Sequence, residues 1–126
     1  MTAVTTCPCG LGEPYETCCG AFHSGLKSAP TAEALMRSRF AAFVVGDEAY
    51  LLATWHPTTR PKRVDFDPDQ RWTGLEILER TGGGLLQNTG TVEFRAHYRW
   101  REQREVLHEN SRFVREDGRW LYVSPS

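Results

Sequence analysis

The sequence predicts an α+β domain in which helices come first and an antiparallel sheet follows, with a small metal-binding segment in front. The apolar periodicity changes from helical to alternating near Trp72, and all four cysteines lie within the first nineteen residues. The 126 residues suffice for one domain and a small appendage. With 40% hydrophobic and 11% aromatic residues, the chain has enough apolar surface to fold around a core.

The metal-binding segment is predicted from the cysteine spacing C-x-C-x8-C-C. Disulfides there would close only a small loop, whereas four thiolates satisfy tetrahedral zinc at about 2.3 Å per Zn–S bond. Gly10 and Gly12 let the chain double back, and Pro14 can begin a helical turn. We therefore predict a structural zinc site with the ligands Cys7, Cys9, Cys18 and Cys19. His23 competes with Cys19 for the fourth position.

Two helices are predicted after a short linker. Residues 31–45 carry apolar side chains at helical spacing, with Thr31 as the N-cap and Gly46 as the stop. Asp47 is predicted to cap a shorter helix that runs to Thr54. The next fourteen or so residues are rich in proline and charge, which predicts a loop.

Four strands are predicted to follow the loop, at residues 72–80, 91–100, 105–115 and 120–123. Glu116-Asp117-Gly118 is predicted to connect the last two strands as a hairpin. Alternation in the second strand places on one face Val92, Phe94, Ala96, Tyr98 and Trp100. The sheet is therefore an antiparallel meander with the helices on one face.

Alternation leaves open which face of strand 105–115 points inward. One face carries Leu107, Glu109, Ser111 and Phe113. If that face is inward, desolvation would raise the pKa of Glu109 into the range useful for acid-base catalysis. If the other face is inward, His108 and Arg112 take that place. The alternative for Glu109 is an ion pair with an arginine. Arg37 and Arg39 are predicted to pair with Glu109 and Glu76, and an anion site is the alternative for these arginines.

Two further candidate sites are predicted outside the sheet. His56 follows the second helix and could act as a base, although a favourable interaction with the helix dipole also explains it. A docking surface for a partner is predicted at apolar residues on or beside a loop too small to bury them, namely Leu11, Tyr15 and Phe22. Packing of the last two against the domain is the alternative.

Charge and hydropathy exclude several function classes. Fifteen basic and sixteen acidic side chains give a formal net charge of -1, and the basic cluster at residues 60–63 is followed at once by acidic residues. The longest apolar run, Phe40–Val45, is far shorter than the roughly 20 residues that cross a bilayer. With no signal region visible, we expect a cytoplasmic protein with no membrane span and no strong nucleic-acid footprint.

Two resemblances refine these predictions. Residues 7–20, CPCGLGEPYETCCG, closely resemble the SEC-C motif, a small zinc module also found at the C-terminus of SecA. In that family the fourth ligand is Cys or His, which maps onto Cys19. Most of the chain is similar to the YchJ family of bacterial proteins, through TAEALMRSRF at 31–40, TWHP at 54–57, LHENSRF at 107–113 and DGRW at 117–120.

The YchJ resemblance implies an N-terminal SEC-C motif, here residues 1–29 with the linker, and a nuclear-transport-factor-2-like (NTF2-like) domain, here residues 30–126. That domain is a cone of helices packed on a curved antiparallel sheet. Longer members carry a second SEC-C motif at the C-terminus, so a short form that lacks it is expected here. The activity of the family is not established.

Two function classes remain. The first is a zinc-containing binding or adaptor protein, whose zinc knuckle docks on a protein or ribonucleoprotein and whose cone is a scaffold or a small-ligand receptor. The second is a cone-fold enzyme with dehydratase-like or isomerase-like acid-base chemistry in the cone cavity. We favour the first because the metal signal is stronger than any acid-base pair. A homodimer through the exposed sheet face is also predicted, using the charged row Glu93, Arg95, His97 and Arg99.

Overall fold

The computed structural model describes residues 5–125; residues 1–4 and 126, at the outer ends of the two predicted domains, lie outside the described part. The elements in chain order are a 3-10 turn at Tyr15–Thr17, α1 at Cys19–His23, α2 at Ala32–Val45, α3 at Glu48–Ala53, β1 at Gln70–Gly82, β2 at Thr89–Trp100, β3 at Gln103–Glu116 and β4 at Arg119–Pro125. The four strands form one antiparallel sheet in the order β1-β2-β3-β4. The predicted α+β class is therefore confirmed.

Side-chain caps fix where α2 and α3 begin. The Thr31 hydroxyl accepts a hydrogen bond from the Ala34 amide at 3.1 Å, and an Asp47 carboxylate oxygen accepts one from the Tyr50 amide at 3.0 Å. These bonds satisfy amides that the first turn of a helix leaves free. Helix α2 ends at Gly46, whose φ of 75° is unfavourable for residues with a β-carbon. The predicted caps and the predicted stop are confirmed.

The β3–β4 connection is the two-residue turn Asp117-Gly118, with φ values of 53° and 77°. Positive φ at both central positions is the type I′ geometry, whose twist matches that of the two strands it joins. All four strands are longer than predicted, because backbone pairing continues over polar residues that alternation does not mark.

The core lies between α2 and the inner face of the sheet. It includes Leu35 and Phe40 from α2 and Phe113 and Trp120 from the last hairpin. Of the predicted face of β2, the core contains Val92, Phe94 and Ala96, whereas Tyr98 is half-buried and Trp100 is exposed. Because Ser111 and Phe113 are buried, the face of β3 that also carries Glu109 is the inner one. Within residues 5–125, no helix is long and apolar enough to cross a membrane.

Candidate metal centre and inner pocket

The cysteines are presented by a short loop and the turn that follows it. The Cys7 amide donates to the Glu13 carbonyl at 2.8 Å, which closes a loop that carries Cys9. Gly10 and Gly12, with φ of 94° and 80°, allow the reversal inside this loop. The 3-10 turn and α1 then bring the second pair of cysteines back beside the first. Residues 5–24 are hereafter the metal module, and residues 31–125 the helix–sheet domain.

The four Sγ atoms form one cluster in which all lie within 4.8 Å of one another. The Cys9 and Cys18 sulfur atoms are 3.6 Å apart. Four sulfurs at 2.3 Å from a tetrahedral zinc would be separated by about 3.8 Å, so the cluster needs only small adjustments to hold the ion. Three of the cysteines are buried and Cys18 is half-buried. The donor set therefore fits a closed, structural metal site.

The pKa values of the clustered thiols show that these groups oppose one another's ionisation. A hydrogen bond from Cys19 is the main cause that lowers the pKa of Cys9 to about 5. Burial raises the pKa of Cys18 to about 12, and the hydrogen bond with Cys9 together with burial raises the pKa of Cys19. Among these three thiols, Cys9 therefore ionises most readily, and Cys18 and Cys19 keep their protons while no metal is bound. Four thiolates at this separation require a bound cation, and soft thiolates suit zinc.

His23, the alternative fourth ligand, lies outside this cluster and uses both ring nitrogens elsewhere. Nε2 lies 2.8 Å from the Ser38 carbonyl oxygen in α2, and Nδ1 lies 2.6 Å from the Tyr15 hydroxyl. A carbonyl only accepts, so Nε2 carries the proton and Nδ1 accepts the hydroxyl of Tyr15. His23 therefore joins the metal module to α2.

Further contacts join the metal module to α2 and to the main core. Arg37 Nη1 donates to the Cys9 carbonyl at 2.7 Å, and Ala41 packs against the buried cysteines. Phe22 packs against the main core, and Tyr15 packs against the cysteine cluster. Of the three predicted docking residues, Leu11 is the most exposed, at 55%.

The predicted partners of the two arginines in α2 are wrong. Arg37 Nε donates to Glu33 Oε2 at 2.9 Å, one helical turn back, instead of pairing with Glu109 or Glu76. That partner lies on the same helix, where the i,i+4 spacing holds the two side chains together. Arg39 has no carboxylate oxygen within 4.0 Å among the described residues, and Glu109 instead accepts the Ser111 hydroxyl at 2.6 Å.

A pocket of about 170 Å³, hereafter the inner pocket, lies between α2 and the inner face of the sheet. Its walls are mainly aromatic rings, and its charged residues are Arg39 and Glu109. Its remaining walls come from α2, from the segment after α3 and from every strand: Met36, Phe40, Phe43, Trp55, Trp72, Phe94, Ala96, Leu107, Ser111 and Tyr122.

The three candidate catalytic residues lie in three different places. Glu109 lines the inner pocket. His56 Nε2 lies 2.8 Å from Glu116 Oε2, and His56 Nδ1 forms a hydrogen bond with the Thr58 hydroxyl at 2.7 Å. His108 is on the outer face of the sheet, where Nε2 lies 2.7 Å from a Glu93 carboxylate oxygen. Alternation placed His108 and Glu109 on opposite faces of the strand, and the burial of Phe113 decides that the face with Glu109 is the inner one.

The fold and the cysteine cluster together define a two-part protein, in which a cysteine-rich motif precedes a helix-covered antiparallel sheet. A model of the SEC-C motif matches residues 5–21, and a model described as the YchJ middle NTF2-like domain matches residues 31–125. The chain therefore belongs to the YchJ family, and the predicted resemblance is confirmed.

Curated relatives and solved structures agree with this membership. The chain is 62% identical over 117 residues to a UPF0225 protein of Streptomyces coelicolor, covering 93% of this chain and 91% of the relative. It is 52% identical over 116 residues to a UPF0225 protein of Corynebacterium glutamicum, covering 92% of both.

The fold is similar to the solution structure of a SEC-C motif containing protein from Rhodopseudomonas palustris, with a TM-score of 0.84 at 33% identity and coverage of 97% and 98%. A crystal structure of a sec-c motif containing protein from Psychrobacter arcticus has a TM-score of 0.77 at 28% identity, covering 97% of this chain and 82% of that one.

Proposed function

We propose that the protein is a zinc-containing binding protein whose metal module docks on another protein. The observation that carries the proposal is a groove of about 420 Å³ between the module and the start of α2. Leu11 and Phe22 line it from the module, and Pro30 and Ala34 line it from the other side. A rigid apolar groove with an exposed leucine at its edge suits an apolar anchor of a partner.

The charges around the groove favour a peptide over a nucleic acid. Lys27 and Arg37 are the basic residues of its wall, and Glu13 is also present. Arg37 is already paired with Glu33, which leaves little positive charge for a phosphate backbone. A peptide segment with an apolar anchor next to an acidic residue fits this groove, because the anchor would contact the apolar lining and the acidic residue would pair with Lys27. A ribonucleoprotein would then be recognised through its protein component.

The test compares matched leucine variants. Leu11→Ser removes the groove edge, whereas Leu86→Ser changes an exposed leucine in the β1–β2 loop that is outside the groove. Partners captured by the wild type should be lost with Leu11→Ser and kept with Leu86→Ser, with zinc content and melting temperature unchanged. Direct binding of the purified partner, insensitive to ribonuclease, completes the test. Equal capture by both variants contradicts docking, and ribonuclease-sensitive capture contradicts a protein partner.

The acid-base alternative has less support. Such catalysis needs a second titratable group near Glu109, and the other two candidates lie elsewhere on the chain. The hydrogen-bond partner of Glu109 is the neutral hydroxyl of Ser111. Binding is therefore the better-supported class for the cone.

Zinc and a cytoplasmic location are parts of the same proposal. Four cysteine sulfurs are soft ligands at tetrahedral spacing, which zinc prefers. Thiols this close stay reduced most readily in the cytoplasm. Metal analysis of protein purified without chelator should give one zinc per chain. Less than about half an equivalent, with four titratable thiols in the folded protein, contradicts the site.

A homodimer through the outer face of the sheet is a separate prediction. Two members of the charged row, Glu93 and His97, are already paired within the chain, with His108 and Glu76 respectively. These pairs leave fewer opposite charges to match across a two-fold axis. Sedimentation at micromolar concentration tests the prediction, and the sedimentation behaviour of a monomer would contradict it.

A further inference from the structure

Arg39 is a buried cation that forms no ion pair with the residues that the structure describes. Its residue is 4% exposed, and no carboxylate oxygen in residues 5–125 lies within 4.0 Å of it. Nη1 donates to the Leu51 carbonyl at 2.8 Å and to the Thr54 hydroxyl at 2.7 Å, which are both neutral acceptors. Taking a charge out of water without an opposite charge costs several kcal/mol, so this arrangement favours an anion as its partner.

The surroundings of Arg39 include aromatic faces and a hydrogen-bond donor without a partner among the described residues. The guanidinium lies over the rings of Trp55 and Tyr122, at 4.9 and 4.7 Å from their centroids. Trp55 Nε1 is buried with no hydrogen-bond partner among the described residues. Burial raises the pKa of Tyr122 to about 12, so its phenol keeps its proton at neutral pH. This end of the inner pocket therefore suits a group that only accepts hydrogen bonds.

The volume and walls of the inner pocket limit the rest of the ligand. An apolar cavity of about 150 Å³ holds one benzene molecule, and the inner pocket has about 170 Å³. Phe40 and Trp72 form an edge-on pair at 6.1 Å between centroids, and Phe94 adds a buried ring from the sheet. The space accommodates one ring-sized apolar body, with Arg39 on its wall.

Glu109 sets a further selectivity. It lies on the sheet side of the inner pocket and accepts the Ser111 hydroxyl. A second acidic group on the ligand would be repelled by this carboxylate in a medium that screens charge poorly. The pocket therefore discriminates between one acidic group and two.

We propose that the inner pocket binds a small monocarboxylate with a ring-sized apolar body, its carboxylate on the Arg39 guanidinium and its body among the aromatic walls. This site develops the small-ligand role of the cone and does not depend on docking by the metal module. Benzoate is the probe for the class because it has one carboxylate and one ring.

In the first experiment the zinc-loaded protein is titrated with three probes, and binding is measured by calorimetry and by changes in amide chemical shifts. Benzoate should bind with a dissociation constant of about 1 mM or tighter. Benzamide, which is neutral and nearly isosteric, should bind at least about tenfold more weakly, and terephthalate, with a second carboxylate, should bind more weakly still. Equal binding of benzamide and benzoate, or no binding of benzoate, overturns the proposal.

Variants then assign the charges. Glu109→Gln keeps the shape of the side chain and removes its charge, so benzoate should bind about threefold to tenfold more tightly. Glu116→Gln, at the surface beside His56, is the matched control and should leave binding unchanged. An unchanged affinity in Glu109→Gln places the anion elsewhere and overturns the assignment.

Two more variants complete the set. Arg39→Gln should abolish benzoate binding, and its melting curve shows whether the domain still folds without the bonds to Leu51 and Thr54. If that variant does not fold, the probe series and Glu109→Gln decide the proposal. Leu11→Ser should leave benzoate affinity unchanged even where it loses the protein partner, so failure of one proposal is distinguishable from failure of the other.

Discussion

The metal module and the helix–sheet domain are stabilised by different interactions. The buried residues that surround the metal site are three cysteines and Ala41 of α2. The domain buries aliphatic and aromatic side chains from one helix and three strands. A segment of about twenty residues cannot bury enough apolar surface to offset its own ordering, so we expect ligation at the proposed zinc site to supply the difference. The comparison teaches that one short chain can combine a ligand-stabilised unit with a core-stabilised one.

The two regions meet where α1 and the cysteine loop pack against α2 and α3. His23 and Arg37 donate hydrogen bonds to backbone carbonyls across this contact, the His23 ring lies 4.6 Å from the Tyr50 ring between centroids, and Phe22 packs at the edge of the main core. Because the main core between α2 and the sheet contains none of the cysteines, we expect the metal module to unfold without unfolding the domain. The predictions that follow test this partial independence.

Metal removal is expected to have the largest effect. Structural zinc sites contribute about 10–16 kcal/mol of binding free energy, so chelation should unfold the metal module. The helix–sheet domain should keep its sheet signal in circular dichroism, with a melting temperature lowered by a few degrees. Amide spectra recorded before and after chelation locate the change. Loss of the whole sheet at room temperature would show that the two regions fold as one unit.

Acidification is expected to release the metal. Without metal, the raised pKa values of Cys18 and Cys19 keep both thiols protonated at neutral pH, so zinc must displace those protons. Lower pH adds protons that compete with zinc, and affinity should fall by up to about tenfold per pH unit for each proton displaced. Competition with a chromophoric chelator between about pH 8 and pH 5 measures this slope. A flat profile would argue against thiolate ligation.

Truncation of a core side chain tests whether the metal module depends on the core of the helix–sheet domain. Phe113 is 1% exposed and packs edge-on against Tyr122 at 5.8 Å between centroids. Phe113→Ala should lower the free energy of unfolding by about 3–5 kcal/mol, through lost burial and the cavity left behind. Urea unfolding measures the change, and metal analysis of the folded fraction should still give one zinc. Metal loss from that fraction would mean that the module depends on the domain core.

His23→Ala should weaken the connection between the regions and leave the metal in place. The change removes one bond to Ser38 and one to Tyr15, with an expected cost of about 1–3 kcal/mol. His97→Ala, on the exposed sheet face with Glu76, is the matched control and should cost less. Stability and zinc content are measured on both variants. Loss of zinc in His23→Ala alone would make His23 a ligand and contradict the role assigned to it.

Thr31→Ala should have the smallest effect. It removes the hydroxyl that caps α2 and should cost about 1 kcal/mol of stability. Because the cap lies in the domain, zinc affinity should be unchanged. Thermal melts combined with zinc competition check both statements. A change in zinc affinity would show that the start of α2 and the metal site are energetically coupled through that helix.

Local features were predictable because they depend on neighbours in the chain. Thr31 and Asp47 cap their helices through amides three residues ahead, and Gly46 ends α2 through its own backbone angle. The cysteine cluster was predictable for the same reason, since a loop of eight residues between the two pairs brings them together. Spacing along the chain is enough where the partners are close in sequence.

Sequence by itself determined the order of elements, the metal module and the family of this protein. Only the tertiary structure decided which face of β3 is inner, so that Glu109 and not His108 lines the inner pocket, and that Arg39 has no carboxylate partner within residues 5–125. Alternation gives two faces of a strand without saying which one a helix covers. That choice depends on how Phe113 and α2 pack, and packing joins residues that are far apart in the chain.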